Sequence, residues 1–480
     1  MKIELIDVLQ LRNMPIPFKG KGRNREKLPV PDHGYSTVLQ IAASDAKKTR
    51  HIGLGEIRAL PYLTGETPNS AYAFARSLGQ ALLGAELPDG LEGWDAAQAT
   101  ADLVANATRT VLGMAAGDPL PGANSHPAVR FAFDAALLDI VARSRGKSVT
   151  ALLGGDDVTV RRNTFARNFT KPSILLTKLM KGNMPNGWLR GNFADNGANL
   201  ASVMGAISAA TNGNENDLSD VWFDLKGRWT PADVDLMLEG LTGTTPMRGS
   251  SLSMILEQPF PTYSTAWYSE LFGMLEGEDN FLKDRLRVMM EADCHCLGPI
   301  ENALPHIDLK ITPQKCGSIA DLNATVEIAR AKGFAGRIYL GNAGMNTELN
   351  SIVLVSLAQV LTRDFDGNVL LSANQKLEGE TAIRQVYPQV TVDNEDPCLL
   401  TPPEGPGWGA ALCQSVLMKR MHKSDFLRDA DATPDKELLK TQLIMSAFDD
   451  SRLHVRRLQD DDDDQGDHGQ HAANDADHDT

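Results

Sequence analysis

Three apolar runs of this chain stop on a carboxylate: "VWFDLKG" at Asp224, "MILEQPF" at Glu257 and "RVMMEAD" at Asp293. The intervals between them are 33 and 36 residues. A single acidic residue at such a place is ordinarily a turn residue or the cap of the next helix. Three at so even an interval need a common cause, and the interval is close to the ~31 residues per unit expected when roughly 250 residues are shared among eight βα units of a barrel. The C-terminal ends of the strands of such a barrel face one mouth, so Asp224, Glu257 and Asp293 would converge there. Crowded carboxylates repel one another. The usual remedy is a hard divalent cation with oxygen ligands, and Mg2+ fits best.

The next apolar run, "HIDLKIT", carries Lys310 to the same mouth. A lysine that is partly desolvated and beside a cation has its charged form disfavoured, which makes it a usable base. A metal that holds a carboxylate, with a base at its α-carbon, is the arrangement for forming an enediolate.

The elements that must position these residues are readable from periodicity. "DVDLMLEGL", "STAWYSELFGML", "SIADLNATVEIARAKG" and "ELNSIVLVSLAQVL" have helical spacing, and they alternate with the short apolar runs "VWFDLK", "SMILEQP", "LRVMMEAD", "IDLKIT" and "RIYLGN". Alternation of this kind predicts parallel βα units. The first 60 residues read differently, as the β-leaning segments "IELIDVLQL", "STVLQIAAS" and "RHIGLGEIRAL" followed by the helices "PNSAYAFARSLGQALLG" and "GWDAAQATADLVANATRTVLG". Strands first and helices after make an α+β segment. Between its first two strands lies the long basic, Pro/Gly-rich stretch 13–35, a length expected of a loop that covers a site or is disordered. The strongest helical pattern is "NSHPAVRFAFDAALLDIVARSRGKSVTALLGG", with Pro127 where a first-turn proline is tolerated.

Composition narrows the function classes. The 480 residues carry a net charge of −15, of which nine negatives belong to aspartates beyond Arg457, leaving a body near −6. A mildly acidic body with no basic stripe argues against nucleic acid and anionic membranes as partners. The tail "QDDDDDQGDHGQHAANDADHDT" has too few apolar residues to fold and reads as a solvated, disordered segment. Five cysteines at irregular spacing make no disulfide framework, and Cys294 and Cys296 around His295 are a weak zinc signal best read as partly buried thiols. With no apolar run of membrane length and no signal-peptide pattern in "MKIELIDVLQ", the expectation is a cytoplasmic, soluble chain; a homo-oligomer is left open.

Taken together, "GEIRALPYLTGET", the helix that begins at "HPAVRF", "WFDLKG", "LEQPF", "EAD", "IDLKITPQKCGS" and "TPPEGPGWG" resemble the enolase superfamily over roughly residues 1–420. "TPPEGPGWG" is similar to the return of the muconate-lactonising and mandelate-racemase-like members, while "FARN" and the stretch from "LKITPQKCGS" to "GNAGMNTELNS" resemble methylaspartate ammonia-lyase. The resemblance implies an α/β fold, a modified (β/α)8 TIM-like barrel with an α+β capping domain built from the N-terminal segment and a C-terminal return. The division expected is a cap at 1–125, a barrel at 126–390, the return at 391–457 and the acidic tail at 458–480. Carried over residue by residue, it makes Asp224, Glu257 and Asp293 the Mg2+ ligands and Lys310 the base.

The departures bear on the reaction. Where many members carry Lys-x-Lys on the second barrel strand, this chain has Trp188 and Arg190, and the ammonia-lyase histidine falls at Asn186. Arginine stays protonated, so Arg190 cannot serve as a second base. Lys226 stands where an Asn is usual and Cys294 where a Glu is usual. Lys226 shares strand-face parity with Asp224 and is a candidate second base or substrate anchor. Arg167, Asn168, Asn346 and Thr347 lie at strand ends and are candidates for holding the distal part of a small carboxylate substrate. One good base favours elimination, with loss of water or ammonia assisted by Arg190, Lys226 or the returning Lys310, over racemisation. A racemase, epimerase or cycloisomerase using Lys226, and a catalytically degenerate metal-binding scaffold, are the alternatives.

Overall fold

The N-terminal apolar segments pair as an antiparallel sheet. β1 (Lys2–Arg12) lies between β2 (Tyr35–Ser44) and β14 (Met421–Arg428), and β3 (Arg50–Ile57) pairs with the far edge of β2, giving the order β14-β1-β2-β3. The computed structural model describes residues 1–12, 35–88, 90–121, 125–156, 159–165, 187–193, 195–211, 218–242, 252–261, 265–275, 282–283, 285–292, 307–331, 338–341, 348–362, 371–372, 391–392, 399–412 and 421–429. The chain divides into two compact units after Asp429, and every described residue belongs to the first. The stretch 13–34 and the acidic tail lie outside the described residues.

Two glycines explain how the sheet meets its helix. A Cβ on Gly53 would stand 1.9 Å from the Ala136 carbonyl oxygen, and one on Gly55 would stand 2.0 Å from that of Ala132. Only glycine lets the helix Pro127–Ser144 lie directly on β3. That helix is buried all round, with Val129, Ala132, Phe133, Ala136 and Leu137 in one core with Ile6, Leu39 and Leu78. The long pattern that starts there is not one helix: it breaks at Gly146, whose φ of 65° is left-handed, and resumes as the single turn Val149–Leu152. Asp139, inside the helix, accepts from the Leu54 and Trp408 amides, both at 2.9 Å, and pairs with Arg143 at 2.8 Å. It therefore ties β3 and the "TPPEGPGWG" segment to one point. Burial pushes its carboxyl up to about 6.

The remaining strands form a curled parallel sheet. β4 (Val160–Phe165), β5 (Gly187–Asn192), β6 (Leu218–Asp224), β7 (Ser253–Glu257), β8 (Leu286–Ala292), β9 (Ile307–Ile311) and β10 (Ile338–Leu340) are neighbours in chain order. β11 (Leu371–Ser372) pairs in parallel with β4 and lies against β10, so the curl brings the last strand round to the first. On β4's other ladder β13 (Leu399–Thr401) runs antiparallel, extended by β12 (Thr391–Val392).

Alternation along the strands sorts the side chains into two layers. Val221, Phe223, Met254, Leu256 and Val288 pack outward with Met237 of the helix Pro231–Thr242 and Leu271 of the helix Thr265–Leu275. Trp222, Ile255, Met289 and Tyr339 form a separate buried cluster on the other face. Four bulky side chains, from β6, β7, β8 and β10, thus pack together in the interior, which is filled and not a pore. Among the described residues no helix is long and apolar enough to cross a membrane.

Candidate active site

Asp224 and Glu257 are the last residues of β6 and β7, and they are Cα partners in the parallel ladder. Partners on neighbouring strands lie roughly 5 Å apart, with side chains on the same face. Two carboxylates are thereby set side by side at the strand ends, 4% and 1% exposed. Buried like charges so close need positive partners. The described residues supply two: Lys226 Nζ stands 2.8 Å from Asp224 Oδ2, and Lys310 Nζ stands 2.5 Å from Glu257 Oε1.

Lys310 is set by its strand. All five residues of β9 are buried, and Lys310 is paired in register with Glu291 on one side and Tyr339 on the other. Gly341 confines its stem, since a Cβ there would stand 2.8 Å from Lys310 Cε and 2.7 Å from Thr312 Oγ1. Tyr339, the register partner of Lys310 on β10, belongs to the buried interior cluster with Trp222, Ile255 and Met289. Asp308, two residues before Lys310, is fully buried and pairs with Arg287, and it accepts a hydrogen bond from the Tyr339 hydroxyl at 3.3 Å.

The turn after β9 is anchored from outside the barrel. Asp134, on the helix Pro127–Ser144, accepts from the Ile319 amide at 2.7 Å and from Thr100 Oγ1 at 2.6 Å. Burial pushes the Asp134 carboxyl up to about 7. Arg130 of the same helix presses its guanidinium on Gly317, where a Cβ would stand 2.1 Å from it.

Lys226 meets Asp224 by a route that differs from the expected one. The sequence pattern continued the strand through Lys226, but β6 ends at Asp224 because the chain turns: Leu225 donates its amide to the Glu257 carbonyl at 2.9 Å, and Gly227 donates to the Gln258 carbonyl at 2.6 Å. Lys226 and Gly227 are both left-handed, with φ 55° and 67°. Strand parity therefore does not govern Lys226, and the turn itself swings its ammonium back to the carboxylate.

On β5, Arg190 is the Cα partner of Trp222, and Asn192 is the partner of Asp224. Asn192, not Arg190, holds the position beside the first carboxylate. Asp293 follows the last residue of β8 and lies outside the described residues, as do Arg167, Asn168, Asn346 and Thr347. Among the described residues no group of three His, Cys, Asp or Glu side chains comes together. The one mark that Gly341 carries in the sequence is its place two positions beyond Tyr339, an interior residue of β10.

The donor chemistry suits a hard cation. Asp224 and Glu257 offer buried carboxylate oxygens from adjacent strand ends, and oxygen is the donor that Mg2+ takes. Lys310 places a buried amine beside Glu257.

The chain matches no family model and no curated protein. Its fold is that of enolase-superfamily structures. A dipeptide epimerase from Cytophaga hutchinsonii, complexed with Mg and the dipeptide D-Ala-L-Val, is 15% identical, with 89% of this chain and 100% of that one covered at a TM-score of 0.61. An enolase-superfamily member from Roseovarius nubinhibens is 20% identical over 88% of this chain and 99% of the other, at 0.60. L-Talarate dehydratase from a Polaromonas species, complexed with Mg and L-glucarate, is 14% identical over 89% of this chain and 99% of the other, also at 0.60.

Proposed function

We propose that this chain is a divergent enzyme of the enolase superfamily that abstracts the proton α to the carboxylate of a small substrate, with Lys310 as the base and Mg2+ as the cofactor. The observation that supports this reading best is the pairing of Lys310 Nζ with Glu257 Oε1 at 2.5 Å, on a strand two positions round the barrel from the carboxylate. It joins the proposed base to a proposed metal ligand in one buried site.

Asp224 and Glu257 would hold the metal, with Asp293 as the third carboxylate. When bound, Mg2+ supplies an electrophile that stabilises the charge a substrate carboxylate gains as its α-proton leaves. The rest falls to the chain. β9 and Gly341 fix the Lys310 stem, so that its nitrogen alone is presented to the substrate. The burial of Lys310, 7% exposed, limits the water that can reach the base.

Elimination is the favoured outcome. Lys226 is half-exposed on a turn beyond the end of β6, Arg190 stays protonated, and Lys310 is buried within the barrel, so Lys310 is the one base the reading assigns. A group that has taken the α-proton can return it to the departing hydroxyl or amine. The substrate class is therefore a small carboxylate with a leaving group on the adjacent carbon.

Calorimetric titration with Mg2+ tests the ligand set. Wild-type protein is expected to bind, Asp224→Asn and Glu257→Gln to lose binding, and Lys310→Met to retain it. Undiminished binding in both carboxylate variants would overturn the assignment.

A further inference from the structure

We infer that Lys226 is a built-in competitor for the metal: its ammonium takes an oxygen of Asp224, and a divalent cation binds only by displacing it. The inference rests on the metal assignment proposed above and adds a residue that sets the affinity of that site.

The turn that carries Lys226 is held on both sides. The amides of Leu225 and Gly227 are tied to the carbonyls of Glu257 and Gln258, and Trp229 donates to the Pro259 carbonyl at 2.9 Å. Lys226 is thereby kept at φ 55°, a left-handed conformation that a residue with a Cβ adopts only at a cost. From this fixed turn its ammonium reaches Asp224 Oδ2 at 2.8 Å.

The two lysines differ in what they can do when a cation arrives. Lys310 is 9% exposed along its side chain and hemmed in by Gly341 and Thr312, so it has nowhere to go. Lys226 is 52% exposed along its side chain and can swing into water at little cost. A divalent cation between Asp224 and Glu257 repels both, and only Lys226 can leave. Each binding event then includes the loss of one ion pair. A half-exposed pair is worth less than about 1 kcal/mol, so the expected penalty on affinity is about three- to fivefold.

The test is calorimetric titration of the full chain with Mg2+ alone, comparing wild type with four variants. Lys226→Met removes the charge at similar length, and Lys226→Asn removes it with a residue that tolerates the left-handed turn, so one folded variant suffices. Both are expected to bind Mg2+ about three- to fivefold more tightly than wild type. Lys226→Arg keeps the charge and is expected to bind as wild type does. Arg228→Met removes an exposed positive charge from the same turn and is expected to change affinity less than twofold. Equal or weaker binding in Lys226→Met and Lys226→Asn would overturn the competitor while leaving the metal reading intact. A gain in Arg228→Met as large as that in Lys226→Met would also overturn it, since a general field would then suffice. Absence of Mg2+ binding in wild type and all variants would overturn the metal reading itself.

Discussion

Gly341 touches Lys310: a Cβ on the glycine would stand 2.8 Å from Lys310 Cε and 3.2 Å from Lys310 Cγ. The contact joins the end of β10 to the side chain proposed as the base, with the Gly341 amide donating to the Ile311 carbonyl at 2.6 Å. The glycine is therefore a positioning residue for the lysine.

Gly341→Ala is expected to lower the stability of the chain by about 1–3 kcal/mol, because an added methyl in a packed interior forces its neighbours off their rotamers. It is expected to lower any Lys310-dependent turnover by more than tenfold, as misplacement of a catalytic group by about 1 Å does. Denaturant midpoints and turnover measured on one preparation check both. Wild-type turnover in a folded variant would show that the contact does not hold the base in place.

Asp134 predicts a pH dependence of stability. The folded chain keeps this carboxyl protonated up to about pH 7, against the ordinary value of 3.8 that the unfolded chain has. Between those values the folded state holds the extra proton, so this group's contribution to stability falls as pH rises from about 4 to 7 and is flat beyond. Asp134→Asn, neutral throughout, lacks that slope. Its stability deficit relative to wild type is expected to shrink between pH 4 and pH 8 in thermal melts; a deficit that grows with pH would contradict the assignment.

The glycines of β3 and the glycine of the helix Thr265–Leu275 are expected to respond to alanine with opposite sign. Gly53→Ala drives a Cβ to 1.9 Å from a backbone oxygen of the buried helix and is expected to cost about 3 kcal/mol or more. Gly273 has nothing within 4 Å of the position a Cβ would take, so Gly273→Ala is expected to stabilise by about 0.5 kcal/mol through helix propensity. Chemical denaturation of the two variants measures the difference.

How much of this was readable beforehand depended on the kind of signal. Asp224, Glu257 and Lys310 could be located because an apolar run that ends on a charge marks both the strand and its end, and the βα period repeats that mark. The helix Gly197–Thr211 escaped notice because "GANLASVMGAISAAT" is nearly all small and apolar, with no polar face to give a period. Strand parity puts Lys226 on the face of Asp224 as a candidate second base or substrate anchor, but β6 ends before it. Period-two alternation holds only while the strand continues, and the hydrogen bonds that turn the chain at Leu225 come from β7, which is remote in sequence. Gly53 and Gly55 could be read as strand residues, but the helix that makes glycine obligatory there is more than 70 residues further on.

Stereochemistry separates elimination from racemisation. With Lys310 as the one assigned base, an enediolate that returns to substrate takes its proton back on the face it left. Substrate recovered from D2O is expected to carry deuterium with its original configuration, as chiral chromatography coupled to mass spectrometry would show. Deuterium mainly in the inverted form would call for a second base and favour a racemase or epimerase.

The central claim, that Lys310 removes an α-proton with the help of a divalent cation, is tested most directly by solvent exchange. Incubation in D2O with a panel of dipeptides, sugar diacids and other small carboxylates, followed by mass spectrometry, reads the transfer without needing the final product. The account predicts α-deuteration of at least one acid by wild-type protein with Mg2+, and its loss on chelation and in Lys310→Met. Exchange that persists at the wild-type rate in Lys310→Met, or with the cation chelated, would contradict it.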